Sequence, residues 1–322
     1  MFSSELIRNG SKVLKSKNIK TYLLDTEIII SNLLNKRREK FLAGEDPKVS
    51  TNNIKKFNNL IQRRKNYEPI AYILNRKEFW SESFYVDRNT LIPRPETELM
   101  VEKIVKDFKN SAPFVLDIGT GSGCILISIL KELKKAKGIG IDISKKALLV
   151  ANKNAKNSNV KGRIKFLHRS INDKLDKKFD LIVSNPPYIC THDLKNLDKD
   201  IKNFEPKIAL DGGNDGLDVV KKVIYKAKEL LRKKGILAIE IGNKQYTEVS
   251  KILRINKFRK KYLISDYHRN IRCVVSVLEN WTKKNNQKWI LIIIEEEILD
   301  QNTLVAEVDL EEELQALGKI RT

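Results

Sequence analysis

Apolar residues recur at three- and four-residue spacing over residues 2–14, 22–34 and 54–61, with polar breaks at residues 16–20 and 44–53. That period places one apolar stripe along each segment and predicts amphipathic helices. Glu68-Pro69 opens one more short helix through Ile70, Ala71, Tyr72 and Leu74. Residues 1–75 are therefore expected to fold as a small helical bundle. From residue 77 to 91 the pattern turns extended, through Phe79-Trp80 and Phe84-Tyr85-Val86, with a polar turn at Asp87-Arg88-Asn89. Residues 76–95 are thus expected as a hairpin linker between two domains. Pro93 and Pro95 end it. Glu96-Thr97-Glu98 then opens a helix through Val105, its acidic residues in the first turn, where they meet the positive end of the helix dipole.

Beyond this point strands and helices alternate. Strands are expected over residues 114–118, 138–141, 164–167, 181–183, 236–241 and 273–278, and helices over 124–133, 145–157, 217–232 and 246–255. Such alternation over residues 96–280 predicts an α/β fold with a doubly wound sheet, whose ligands lie at the carboxyl ends of its strands. Residues 281–322 stand apart. They hold a polar linker at 283–288, an isolated apolar run at 290–294 and a short acidic helix at 311–317. No function is read from this acidic tail.

Composition narrows the class. A chain of 322 residues accommodates one domain of about 200 residues and a smaller partner. With 41% hydrophobic residues an ordinary core can form. No apolar run approaches the ~20 residues that span a bilayer. Met1-Phe-Ser-Ser-Glu5 lacks the basic start and apolar run of a secretory signal. Cys124, Cys190 and Cys273 are scattered, without the spacing of a disulfide framework or a zinc site. The expected compartment is the cytoplasm, and no metal is expected.

The net charge of +21 is unevenly spread: residues 1–288 carry +28 and residues 289–322 carry −7. A basic body fits an anionic partner such as RNA, or a protein that sits on RNA. It fits equally a genome rich in Lys, Asn and Ile codons, so charge does not choose between them.

Two motifs carry chemistry. Asp117-Ile-Gly-Thr-Gly-Ser-Gly123 sets a glycine-rich turn between the first sheet strand and its helix, where the backbone must approach a ligand closely. A dinucleotide site is the alternative, but that fingerprint is GxGxxG and Cys124 stands at its last position. The pattern favours S-adenosyl-L-methionine, held by Gly119, Thr120, Gly121, Ser122 and Gly123. The next strand ends at Asp142, whose carboxylate can accept hydrogen bonds from two ribose hydroxyls. The alternative role for Asp142 is a helix N-cap, for which Ser144 is equally placed.

Asn185-Pro-Pro-Tyr188 follows the apolar strand Leu181-Ile-Val183. Two prolines stiffen the loop and remove two N–H donors, which leaves carbonyl oxygens as acceptors. An amide nitrogen is a poor nucleophile because its lone pair is delocalised. The Asn185 oxygen and the Pro186 carbonyl can each accept one N–H of a substrate –NH2, which aligns the nitrogen with a methyl donor and stabilises the charge it gains. Pro187 completes the substrate loop, and Tyr188 is expected to stack on the planar group. No metal or covalent nucleophile is required. His168, His192 and His268 have no partner spacing, and Cys190 has only His192 as a nearby base.

With these residues the chain resembles the PrmC/HemK family, methyltransferases acting on the Gly-Gly-Gln glutamine of class I peptide release factors. The resemblance runs from about residue 60 to 278. It rests on Glu68-Pro-Ile-Ala-Tyr-Ile-Leu74, Glu78-Phe-Trp80, Leu91-Ile-Pro-Arg-Pro-Glu-Thr-Glu98, the two motifs above, Phe204-Glu-Pro206, Ala209-Leu-Asp-Gly-Gly213, Asp215-Gly-Leu217 and Glu240-Ile-Gly242. It implies a class I S-adenosylmethionine-dependent methyltransferase fold, a Rossmann-like seven-stranded sheet, with a small N-terminal helical bundle that docks the release factor. It implies cofactor contacts at Gly119 through Gly123, Asp142 and Asn185, and substrate contacts at Asn185 through Tyr188. Ile171 falls where the family sets an aromatic residue against adenine, beside Ser170. Asn75 stands where the family often has glycine. Arg94 and Glu98 either line the methyl-transfer mouth or form a loop ion pair.

Two other readings remain. The same Asn-Pro-Pro-aromatic logic serves N-methyltransferases that act on an exocyclic amine of RNA or DNA, or on a ribosomal-protein glutamine. A catalytically silent S-adenosylmethionine-binding protein is the third, against which the intact Asn185-Pro-Pro-Tyr188 argues.

Overall fold

The computed structural model describes residues 1–279; the linker, apolar run and acidic helix expected in residues 281–322 lie outside the described residues. Helices α1 (Ser3–Lys15), α2 (Tyr22–Leu34), α3 (Arg38–Leu42) and α4 (Thr51–Lys65) form the N-terminal bundle. Their apolar stripes meet in a core of Leu6, Leu14, Ile29, Ile30, Phe57 and Ile61. The short α3 was not expected, because none of its residues is buried and no apolar stripe marks it. Helix α5 (Ile70–Ile73) leads into the antiparallel hairpin β1 (Lys77–Phe79) and β2 (Glu82–Phe84). Helix α6 (Pro95–Asp107) follows, with Pro95 in its first turn, where a missing N–H is no loss.

Charged side chains join the bundle to the rest. Buried Arg64 donates to Asp25 at 2.7 Å within the bundle. Glu68, just past α4, accepts both Arg63 at 2.8 Å and Arg88 at 3.1 Å. The Arg88 guanidinium in turn lies 4.8 Å over the Phe204 ring. One carboxylate therefore links the bundle, the linker and, through Arg88, the segment at Phe204.

The remaining elements run β3 (Phe114–Ile118), α7 (Cys124–Glu132), β4 (Lys137–Asp142), α8 (Lys145–Asn157), β5 (Ile164–His168), β6 (Phe179–Ser184), α9 (Lys199–Phe204), α10 (Asp218–Leu230), β7 (Leu231–Glu240), α11 (Tyr246–Ile255), β8 (Phe258–Ser265) and β9 (Ile271–Leu278). They build a seven-stranded sheet of order β5-β4-β3-β6-β7-β9-β8. The first five strands in that order are parallel, and β9 pairs antiparallel with both β7 and β8. One face is covered by α6 and α7 over Ile104, Leu126 and Leu130, the other by α10 and α11 over Val220, Ile224 and Leu253.

This is the expected α/β class. Strand β8 is the addition: Phe258-Arg-Lys-Lys-Tyr262 shows no clean alternation, because the strand lies at the sheet edge and shifts register between Lys260 and Tyr262. The chain winds outward from β3 to β5, then returns to β6 beside β3. The carboxyl ends of β3 and β6 flank that reversal, the place where open α/β sheets bind ligands.

Candidate active site

At the end of β3 the chain makes its glycine turn. Gly119 and Thr120 donate backbone N–H bonds to the Ile141 carbonyl at 2.9 and 3.0 Å, which ties the turn to the end of β4. Asp117 is sealed beneath it and accepts the Thr120 hydroxyl at 2.7 Å. Burial pushes the Asp117 carboxyl up to about 7; the Thr120 bond opposes that rise and the Asp142 charge adds to it. Gly119 has φ +73°, and a Cβ built there meets nothing within 4 Å. It would project into open space at the wall of a cavity of about 340 Å³. Only a residue without a side chain leaves this cradle clear.

Asp142 closes the second side. One oxygen accepts the Gly121 N–H at 2.9 Å and the other the Ser144 N–H at 2.8 Å. Ser144 is the N-cap of α8, its hydroxyl accepting from Ala147 at 3.1 Å. Asp142 is therefore free of capping duty and lines the cavity with lone pairs to spare. Desolvation raises its carboxyl above the usual range. Ile171 lines the same cavity from the loop after β5, where Ser170 and Asp173 tighten the turn by a 2.9 Å bond. An apolar slot beside a carboxylate and an open glycine turn fits a nucleoside carrying a cationic sulfonium.

Asn185, Pro186 and Pro187 line the cavity from the end of β6, the strand next to β3. The Asn185 Nδ2 donates to Thr97 Oγ1 at 3.3 Å. Among the described residues no hydrogen bond is made to the Asn185 side-chain oxygen or the Pro186 carbonyl. The loop is braced from behind. Ile189 donates to Leu210 at 3.1 Å and Gly212 to Ile189 at 2.8 Å, a parallel bridge that stacks the two segments. A Cβ on Gly212 would come within 2.8 Å of the Tyr188 Cα, so the backbones touch there. Gln245 donates to the Tyr188 carbonyl at 3.0 Å.

The cavity thus gathers Gly119, Thr120, Gly121, Ser122, Asp142, Ile171, Asn185, Pro186 and Pro187. Two expected residues stand off its wall. Gly123 starts α7, where a Cβ would meet Ile127 at 2.9 Å. The Tyr188 ring packs against the sheet core, and its hydroxyl donates to buried Glu240 at 3.3 Å. Arg94 lines the cavity and pairs with Glu205 at 2.7 Å, while Glu98 accepts the Trp80 N–H at 3.0 Å, so the two do not pair with each other. Cys190, His192 and Asp193 lie within 4.8 Å of one another just past the motif, two of them exposed; transfer of a methyl group needs none of them.

Thr97, Glu205 and Glu240 lie within the motifs above, but the sequence alone assigns them no role. Their only signal is local: Glu240 ends an apolar strand, Thr97 follows Pro95 and Glu205 precedes Pro206. The meeting of Thr97 with Glu240 across 143 residues, and of Arg94 with Glu205 across 111, was not readable in the chain.

Comparisons with known proteins agree with this geometry. Residues 109–309 match the model described as a methyltransferase domain, and residues 5–74 match the PrmC N-terminal domain. The release factor glutamine methyltransferase of Buchnera aphidicola subsp. Baizongia pistaciae is 42% identical over 73% of this chain and 87% of its own. The chain belongs to the release factor glutamine methyltransferase family. The relative from Clostridium acetobutylicum, with the same description, is 36% identical over 82% of this chain and 94% of its own. The catalytic domain of hMettl16, in complex with MAT2A 3'UTR hairpin 6, shares the fold at TM-score 0.51 and 17% identity, over 69% of this chain and 82% of that one. As a family member the chain is an S-adenosylmethionine-dependent methyltransferase. Asn75 has φ +51°, a left-handed conformation that asparagine tolerates best after glycine, and its side chain donates to the Val86 carbonyl at 3.1 Å.

Proposed function

We propose that this chain transfers the methyl group of S-adenosylmethionine to the side-chain amide nitrogen of the glutamine in the Gly-Gly-Gln motif of class I peptide release factors. The observation that carries the reading is the pair of free acceptors, the Asn185 oxygen and the Pro186 carbonyl, set in the same cavity as the open glycine turn, at the end of the strand next to it. The cofactor supplies an electrophilic methyl on a sulfonium. Gly119 through Ser122 would give it backbone room, Asp142 would accept its ribose hydroxyls, and Ile171 would cover its base. Asn185 and Pro186 each accept one N–H of the glutamine amide, which orients the nitrogen and stabilises the positive charge that grows on it. The excess proton then leaves to solvent. Pro93, Pro187 and Ile208 add apolar surface to the same cavity.

The basic N-terminal bundle, residues 1–75, docks the factor, held in place through the Glu68 bridge to Arg88. A translation factor as substrate places the work in the cytoplasm, and no helix among the described residues is long and apolar enough to cross a membrane. Labelled cofactor incubated with a release factor, its Gln→Ala variant, rRNA and DNA tests the reading. Label is expected on the unaltered factor alone. Label on nucleic acid, or equally on the Gln→Ala factor, refutes it.

A further inference from the structure

Beneath the Asn185 side chain lies a buried chain of hydrogen bonds whose polarity runs one way. Asn185 Nδ2 donates to Thr97 Oγ1 at 3.3 Å, and Thr97 Oγ1 donates to Glu240 Oε2 at 2.6 Å. The Tyr188 hydroxyl donates to Glu240 Oε1 at 3.3 Å. Thr97 sits in the first turn of α6, Glu240 ends β7, and both are almost wholly enclosed, at 2% and 3% exposure.

We propose that Thr97 and Glu240 are positioning residues that fix which end of the Asn185 amide faces the substrate, and so make the site selective for an –NH2 acceptor. The inference rests on the amide-methylation reading of the same site.

The two ends of an asparagine amide have nearly the same shape, so packing alone cannot choose between them. Hydrogen bonding can. In its ionised form a carboxylate only accepts, so Glu240 then claims the single hydroxyl hydrogen of Thr97. The Thr97 oxygen is left with lone pairs toward Asn185, and only the N–H end of that side chain can meet them. The Asn185 oxygen is thereby turned to the cavity. With the amide reversed, its –NH2 would oppose the –NH2 of the substrate, donor against donor, and the nitrogen would be pushed out of line. Tyr188 holds the second Glu240 oxygen, so the carboxylate cannot swing away.

A merely structural role explains this arrangement less well. Burying a carboxylate is costly, and among the described residues no cationic side chain is hydrogen-bonded to Glu240. An apolar residue would fill the same space without that cost. What the carboxylate adds is direction. The inference also accounts for the threonine between the two acidic residues of Glu96-Thr97-Glu98, which lines the cavity beside Asn185, and for the glutamate of Glu240-Ile-Gly242 behind it.

Replacing the hydroxyl while keeping the shape tests this. Thr97→Val is expected to lower kcat for release factor methylation about 10²-fold. The KM for the factor and the calorimetric Kd for S-adenosylmethionine should stay within about threefold of the parent. Thr97→Ser restores the hydroxyl and is expected to recover kcat to within about threefold. Glu240→Leu, which removes the acceptor that orders the Thr97 hydroxyl, takes the place of the valine variant if that chain does not fold, with the same expected loss. A Thr97→Val or Glu240→Leu variant that turns over like the parent overturns the proposal. So does a Ser variant that loses as much as Val, or a loss seen wholly in KM or in cofactor affinity. If the parent chain places no methyl on the factor's glutamine, the amide-methylation reading falls and this inference with it.

Discussion

Glu205 accepts the Arg94 guanidinium at 2.7 Å across 111 residues of chain, and its second oxygen takes the Ile92 N–H at 3.2 Å. The carboxylate is enclosed to 1% side-chain exposure and Arg94 is about two-thirds covered, at 29%. Desolvation raises the Glu205 carboxyl and the Arg94 charge opposes that rise. This contact joins the segment leading into α6 to the end of α9.

Glu205→Ala strips two donors of their partner. A loss of about 2–4 kcal/mol in unfolding free energy is expected, read from urea denaturation. Methyl transfer should fall as well, because Pro93 and Arg94 line the cavity and lose their anchor.

Two buried carboxyls set a pH dependence. Glu240 is pushed up to about 7, first by burial; bonds from Thr97 and Tyr188 and the charge of Arg272 oppose that, and Glu96 adds to it. Asp117 is likewise raised to about 7. A carboxyl raised on folding binds its proton more tightly in the folded chain than in the unfolded one. Its contribution to stability is therefore full below the ordinary carboxylate range and is lost as pH rises through about 7. The melting temperatures of Glu240→Gln and Asp117→Asn, measured from pH 5 to 9 at the order of one-unit steps, should fall less steeply with pH than the parent's.

Activity should run the other way. Below about 7 a protonated Glu240 can donate to Thr97, which frees the Thr97 hydrogen to turn on Asn185 and reverse its amide. Methyl transfer is expected to rise with pH through that value. Glu240→Gln can still accept from Thr97 with its oxygen, and its profile should be flatter. A parent profile flat between pH 6 and 8, roughly one unit either side of that pKa, would contradict the assignment.

Gly212 touches the loop it supports. A Cβ there would meet the Gly216 carbonyl oxygen at 2.7 Å and Tyr188 Cα at 2.8 Å, both backbone atoms that cannot step aside. Gly212→Ala is expected to cost about 1–3 kcal/mol in stability and to impair transfer more than cofactor binding, as calorimetry and turnover compared on one preparation would show.

Much of this was legible because it is local. The turn at Gly119 needs only its own neighbours, and the strand ending at Asn185 declares itself by apolar Leu181-Ile-Val183 followed by two prolines. Helices α1 and α10 carry clean apolar stripes and lie within two residues of where the period places them. What was hidden depends on distant partners. Tyr188 was expected on the substrate and instead rests against the core, because Glu240 and Gln245 hold it from a strand and a helix start some 50 residues on. Helix α9 and the single helical turns around it, between residues 189 and 217, have no stripe to read; their order comes from Glu205 and from the bridge of Ile189 to Asp211.

The most direct test of the account is tandem mass spectrometry of a release factor treated with this chain and S-adenosylmethionine, beside the same reaction with Asn185→Ala. The account predicts one methyl group on the side-chain amide nitrogen of the Gly-Gly-Gln glutamine with the parent chain and none with the variant, whose calorimetric cofactor affinity stays within about threefold. A methyl on another atom, or transfer that survives the loss of Asn185, would contradict it.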